Sequence, residues 1–248
     1  MAIYKSIGII IRRRNLFEAD RVLTIFTKDQ GKIRVIAKGV RKLKSKLAGN
    51  LEPFSVINFS YSEGKSFDLI TSAIVEENLY HLSDNCLLLS KAHYIGELID
   101  KFTEEGEKNQ FLFEILRSTL QQIDRNNPLL LTFFEFKILQ NLGFSPELFH
   151  CLKCRKNIIS GDQNRFSISE SGIVCADCRT FDGVVVSDRL IKLLRLMSEI
   201  NIDQTDRIKL QKADLPPIEN LIENYLMKVI DRELRAKKVL KNLKIMYS

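Results

Sequence analysis

The sequence predicts an α+β protein: a small N-terminal β-barrel, then an all-helical domain into which a four-cysteine segment is inserted. Three observations predict this. Residues 1–80 hold five short strand-like runs separated by turn signals. From about residue 82, apolar residues recur at spacings of three and four. Four of the five cysteines stand as two C-x-x-C pairs. The expected division is 1–80 for the barrel, 81–149 and 183–248 for the helical domain, and 150–182 for the insertion.

The strands come in order. Ile3 to Ile11 is an apolar run rich in β-branched residues, and Arg21 to Thr27 reads RVLTIFT. Asp29-Gln30-Gly31 is a turn. Lys32 to Val40 follows as KIRVIAKGV, where charged and apolar residues intermix as a half-buried strand requires. Phe54 to Tyr61 is the fourth run. Glu63-Gly64-Lys65-Ser66 turns the chain into the fifth, Phe67 to Val75. Five short strands with turns between them suggest a small barrel, and the five-stranded, partly open barrel that binds nucleic acid is the OB fold. A ligand-free barrel of another type has the same strand count.

The helices follow. Leu87, Leu88, Ala92, Ile95, Leu98, Ile99 and Phe102 share one face. Leu112 to Ile123 makes a second helix. Pro128 starts a third over Leu129–Leu142, which Gly143 and Pro146 stop. Two more are expected near Asp188–Ile200 and Ile218–Leu243, the last preceded by Pro216-Pro217.

The insertion reads HCLKCRKNIISGDQNRFSISESGIVCADC from His150. Cys151, Cys154, Cys175 and Cys178 have the spacing of a tetrahedral zinc site. Two residues between cysteines let both sulfurs turn toward one ion. A hairpin through Phe166–Ile168 and Ile173–Val174 returns the second pair to the first. Four thiolates leave no open coordination position, so the expected zinc is structural. A redox dithiol, a site that has lost its metal and an iron–sulfur cluster are the competing readings. His150 reads as a bystander and Cys86 as a small core residue.

Charge bounds the function. The 248 residues carry a formal net charge of +7, with 45% hydrophobic and 28% charged residues. The pI is about 9.1. Residues 1–50 hold 13 Lys and Arg against 3 Asp and Glu, whereas residues 81–149 hold 6 against 10. Such clustering is the footprint of a polyanion partner, and nucleic acid is the usual one. The densest run is residues 32–54. The expected DNA contacts are Arg12, Arg13, Lys32, Arg34, Lys38, Arg41, Lys42, Lys44 and Lys46, with the Arg12-Arg13-Arg14 run on the same side as the rest. Phe17, Phe26, Phe54, Phe59, Tyr61 and Phe67 are candidates for stacking on bases, most of them expected in the core. A second basic run, residues 232–244, is more often a solvated helix face.

Other classes are disfavoured. Carboxylates are scattered in the N-terminal half, where a two-metal nuclease needs them clustered. No glycine-rich phosphate loop followed by Lys is present, so no ATPase is expected. No apolar run reaches the ~18 residues of a membrane span. Charge follows the N-terminal apolar stretch instead of preceding it, the wrong order for a secretory signal, so the expected location is the cytoplasm. A zinc-ribbon DNA-binding regulator and a scaffold for acidic proteins are the alternatives to a non-specific DNA binder.

EADRVLTIFTKDQGKIRVIAKGVRKLKSKLAGNLEPF (18–54), the four-cysteine cluster after a helical segment, and YLMKVIDRELRAKKVL (225–240) together resemble the bacterial RecO recombination mediators. Ala236-Lys237 stands where members often have Ser-Arg. The resemblance implies a non-enzymatic protein of DNA recombination and repair, acting at the nucleoid. Such proteins bind single- and double-stranded DNA and anneal complementary strands. They help load RecA onto strands coated by single-strand-binding protein. The implied partners are RecR, the acidic C-terminal tail of single-strand-binding protein and, indirectly, RecA. Some members lack the cysteines, which implies that zinc supports the fold and not the activity.

Overall fold

A computed structural model describes residues 2–64, 67–78, 85–125, 127–159, 161, 163–178, 183–230 and 240. The chain forms two compact units, one built on Met1–Arg125 and the other on Asn126–Glu233. The helices that follow the barrel up to residue 125 therefore fall in the barrel's own unit.

The first unit opens with five strands: β1 (Ile3–Leu16), β2 (Asp20–Thr27), β3 (Gly31–Ala37), β4 (Val56–Ser62) and β5 (Asp68–Glu77). They close into a barrel in the order β1-β2-β3-β5-β4, the OB order. All pairings are antiparallel except β3 with β5, which closes the barrel in parallel at Val35↔Asp68 and Ile36↔Leu69. Alternation sends Ile10, Leu23, Ile25, Val35, Ile57 and Phe59 inward, where they form the core. β1 runs five residues past the expected end at Ile11. The charged Arg12, Arg13 and Arg14 continue the ladder opposite Thr24, Leu23 and Val22 of β2, after an irregularity between Ile10 and Arg12. Phe54 lies before β4, not in it, with φ 66°.

Helices α1 (Cys86–Phe102) and α2 (Gln110–Gln121) complete this unit. The Asn85 side chain accepts from the backbone N–H of Leu87 and Leu88 and caps α1. α1 lies close on β1 because residue 96 is glycine: a Cβ there would come within 3.0 Å of the Ile11 carbonyl oxygen.

The second unit holds α3 (Leu130–Asn141), α4 (Asp188–Glu199) and α5 (Leu215–Ile230). α3 is buried nearly all round, so it is the unit's central helix. The cysteine segment carries three short strands, β6 (Arg165–Ser167), β7 (Gly172–Val174) and β8 (Val184–Val185), in the order β7-β6-β8. The hairpin of β6 and β7 is the expected one. The two-residue β8 is too short to show in a sequence pattern. The C-terminal basic run, residues 232–244, lies outside the described residues apart from Leu240. No described helix is long and apolar enough to cross a membrane.

Candidate nucleic-acid interface and metal centre

The cations expected at the interface separate into two groups. Arg12, Arg13, Lys32 and Arg34 are held by carboxylates of their own unit. Arg12 Nη1 lies 3.1 Å from Asp100 Oδ2, and Arg13 Nη1 lies 2.5 Å from Glu52 Oε2. Arg34 Nε lies 2.9 Å from Glu105 Oε1. Lys32 departs furthest from expectation. It is 4% exposed, donates to the Asp100 carbonyl and sits 3.2 Å from Asp100 Oδ1. Buried against two acceptors of Asp100, its ammonium is not presented to a phosphate at the surface. The Arg12-Arg13-Arg14 run does not share one side either. Neighbours on a strand point to opposite faces, so Arg12 and Arg13 meet different acids.

Lys38, Arg41, Lys42, Lys44 and Lys46 form the second group. All five are exposed on the β3–β4 loop, and none has an ion pair among the described residues. The local sequence explains the loop. Val40 and Leu51 are buried in the barrel core at its two ends, and Leu47 and Ala48 pack on that core. The intervening cations are left facing water. Tight turns order the segment: Lys42 N donates to Gly39 O, Ser45 N to Lys42 O and Asn50 N to Leu47 O. The Asn50 side chain donates to Ala73 O of β5 and ties the loop's far end to the sheet.

Two hydrogen bonds that involve side chains join this loop to the turn between β1 and β2. Arg41 Nη1 donates to Phe17 O at 3.1 Å, and Gly39 N donates to Asp20 Oδ1 at 2.7 Å. Arg21 belongs here too, although its strand position gave no sign of it. Burial first, then the nearby Arg13 and Arg41, hold its guanidinium below the ordinary arginine range, against the pull of Glu52. Glu52 faces both Arg13 and Arg21, and Arg41 adds a further positive charge beside them. Of the candidate aromatics, Phe26, Phe54, Phe59 and Tyr61 are buried; Phe17 and Phe67 are exposed.

In the second unit, the Sγ atoms of Cys151, Cys154, Cys175 and Cys178 all lie within 4.8 Å of one another. The backbone builds this cage. Arg155, at φ 61°, turns the first knuckle so that its N–H reaches Cys151 O, and Cys151 N donates to Lys156 O. Leu152 N donates to Ile173 O and binds the knuckle to the hairpin. A 3-10 turn, Ala176–Cys178, forms the second knuckle. Arg195 of α4 donates to Leu148 O and lies over the Phe149 ring, fixing the segment that leads into the cage. His150 turns away: its Nδ1 faces Glu147 at 3.5 Å.

The cage has the electrostatics of a cation site. Burial raises the Cys151 thiol, but N–H groups of Cys175, Cys154 and Lys153 outweigh it and bring it down to about 6. Cys178 is pushed up to about 12, first by Cys154 and then by Cys175. Four sulfurs this close resist sharing negative charge until a cation sits among them. The donor set, four soft sulfurs and no oxygen, fits a thiophilic ion.

A closed OB barrel with a free cationic loop, followed by helices and a four-cysteine metal-type centre, defines a class of two-unit barrel protein. The comparisons place it within a family. The model of the Recombination protein O N-terminal domain matches residues 1–78, and that of its C-terminal domain matches residues 85–238. The chain belongs to the RecO family. It is 34% identical over 236 residues to the DNA repair protein RecO of Dehalococcoides mccartyi strain 195, covering 94% of this chain and 93% of that one. Identity is 31% to the RecO of Alkaliphilus metalliredigens (92% and 94% covered) and 28% to that of a Thermoanaerobacter species (99% and 100%).

Proposed function

We propose that this protein is a non-enzymatic DNA binder of recombinational repair. It binds single- and double-stranded DNA, promotes annealing of complementary strands and helps load RecA onto strands coated by single-strand-binding protein. RecR and the acidic tail of single-strand-binding protein are its partners in that task, and the cytoplasmic nucleoid is its place of work. One observation carries the reading: Lys38, Arg41, Lys42, Lys44 and Lys46 are exposed on one ordered loop, without ion pairs among the described residues, while the barrel's other expected cations each face a carboxylate of their own unit. Annealing requires two polyanions to approach, and free cations lower that cost by replacing counterions. Base-edge recognition plays no part in this, so affinity depends little on sequence. The carboxylates support the absence of catalysis. Glu52, Asp100, Glu105 and Glu114 each face a Lys or Arg instead of gathering around a shared cation.

The ion of the cysteine cage is zinc on this reading. Four sulfurs at ~2.3 Å from a tetrahedral zinc are about 3.8 Å apart, and Cys154 Sγ to Cys175 Sγ measures 3.8 Å. The zinc would hold the two knuckles to the hairpin and has no open position for substrate.

A salt series tests the function. Log affinity for a mixed-sequence single strand falls with log salt by about 0.7 per phosphate neutralised. Replacing Lys42, Lys44 and Lys46 together with Ala weakens binding and flattens that slope by about 2. It also slows duplex formation when the complement is added. Unchanged affinity and slope in the triple variant would overturn the proposal.

A further inference from the structure

We propose that Phe17 is a stacking platform for an unpaired base, set beside the cationic loop, and that it gives the interface its preference for single strands. The proposal rests on the DNA-binding reading above and adds to it a contact that charge alone does not make.

Phe17 is 85% exposed, whereas Phe26, Phe54 and Phe59 of the same barrel are at most 1% exposed. A lone exposed aromatic is ordinary on a surface. Its setting is not. Its φ is 51°, in the left-handed region that a bulky side chain avoids. Such a conformation persists only where the surroundings hold it, and here they do. Three hydrogen bonds bind the β1–β2 turn to the cationic loop: Arg41 Nη1 to Phe17 O, Arg41 N to Ala19 O, and Gly39 N to Asp20 Oδ1. The backbone of the turn that carries the ring is therefore tied to the loop that carries the cations. Arg41 fastens the turn through both its side chain and its backbone, and Leu43, wholly exposed between Lys42 and Lys44, puts a second apolar side chain among the charges.

An exposed ring beside free cations is what an unpaired nucleotide needs. Its phosphate takes the charge and its base takes the flat apolar face. Any base has such a face, so the contact is indifferent to sequence. A base already stacked in a duplex offers none. Phe17 therefore adds affinity for single strands and leaves duplex affinity unchanged.

The sequence contains no Trp, so Phe17→Trp in the full chain creates a single indole reporter. The variant is titrated with a mixed-sequence single strand, an abasic strand of equal length and a blunt duplex, with binding followed separately by anisotropy of a label on the DNA. The expected result is quenching by the base-bearing strand alone. Phe17→Ala is expected to weaken single-strand binding roughly 10-fold with the salt slope intact, because no charge is lost. Bound single strand with unchanged indole emission overturns the proposal and leaves the DNA-binding reading standing. Equal quenching by the abasic strand or duplex also overturns it, as does a response to an acidic peptide but not to DNA. Anisotropy showing no DNA bound to the wild-type protein removes both readings together.

Discussion

Lys32 and Arg34 stand two apart on β3 and so face the same way. α1 and the chain after it supply a partner to each: Asp100 of α1 to Lys32 and Glu105 to Arg34. Arg34 is half exposed, so its pair contributes little. The Lys32–Asp100 pair is largely out of water, and Asp100 also receives Arg12. Asp100→Ala leaves a buried ammonium without its counter-charge and is expected to cost roughly 3 kcal/mol, read as a lower urea midpoint. Lys32→Met in the same chain restores part of the loss, since it removes the stranded charge. A midpoint unchanged in Asp100→Ala would show that Lys32 finds water instead. These roles were not legible in the sequence. Whether a lysine is buried depends on a carboxylate 68 residues away, and no local pattern carries that. The cysteines were legible because C-x-x-C records the geometry of the ligand itself. In the metal-bound cage all four thiols must stay deprotonated, so protons compete with the ion. Metal release to a chromophoric chelator should therefore increase as pH falls from 8 toward 5, and Cys154→Ser should release it at higher pH than wild type. Release independent of pH would exclude thiolate ligation.

At the scale of elements, turn chemistry explains why the strand expectations came close. Asp29-Gln30-Gly31 reads as a turn, and Gly31 takes φ 66° there. It has a second duty that the turn pattern does not show: a Cβ at residue 31 would sit on the carbonyl oxygen of Glu107. That segment runs alongside the start of β3, with Gly106 N donating to Lys32 O. Gly31→Ala therefore combines backbone strain with a clash against main chain. The expected loss is about 2–3 kcal/mol, measured by chemical denaturation. A loss below ~1 kcal/mol, the value for strain relieved by adjustment, would show that the Glu107 segment moves aside. β1 was underestimated for a related reason. Three consecutive arginines break an apolar pattern, yet a strand with one face in water and acids nearby accommodates them. The triplet is contiguous in sequence, but the pleat sends alternate residues to opposite faces.

Over the whole molecule, the cationic loop and the cysteine cage belong to different compact units, and each is built by its own local chemistry. The order of strands in the barrel was beyond sequence reading, because a count of five does not say which edges meet. That closure has a consequence for how the chain is made. A ribosome delivers β1, β2 and β3 first, as an open meander whose outer strands both present unpaired backbone. β4 later covers β1, and β5 covers β3. The β4–β5 hairpin is thus a clasp for both raw edges at once, and a nascent chain that stalls before residue 56 holds two strand edges open to any neighbour.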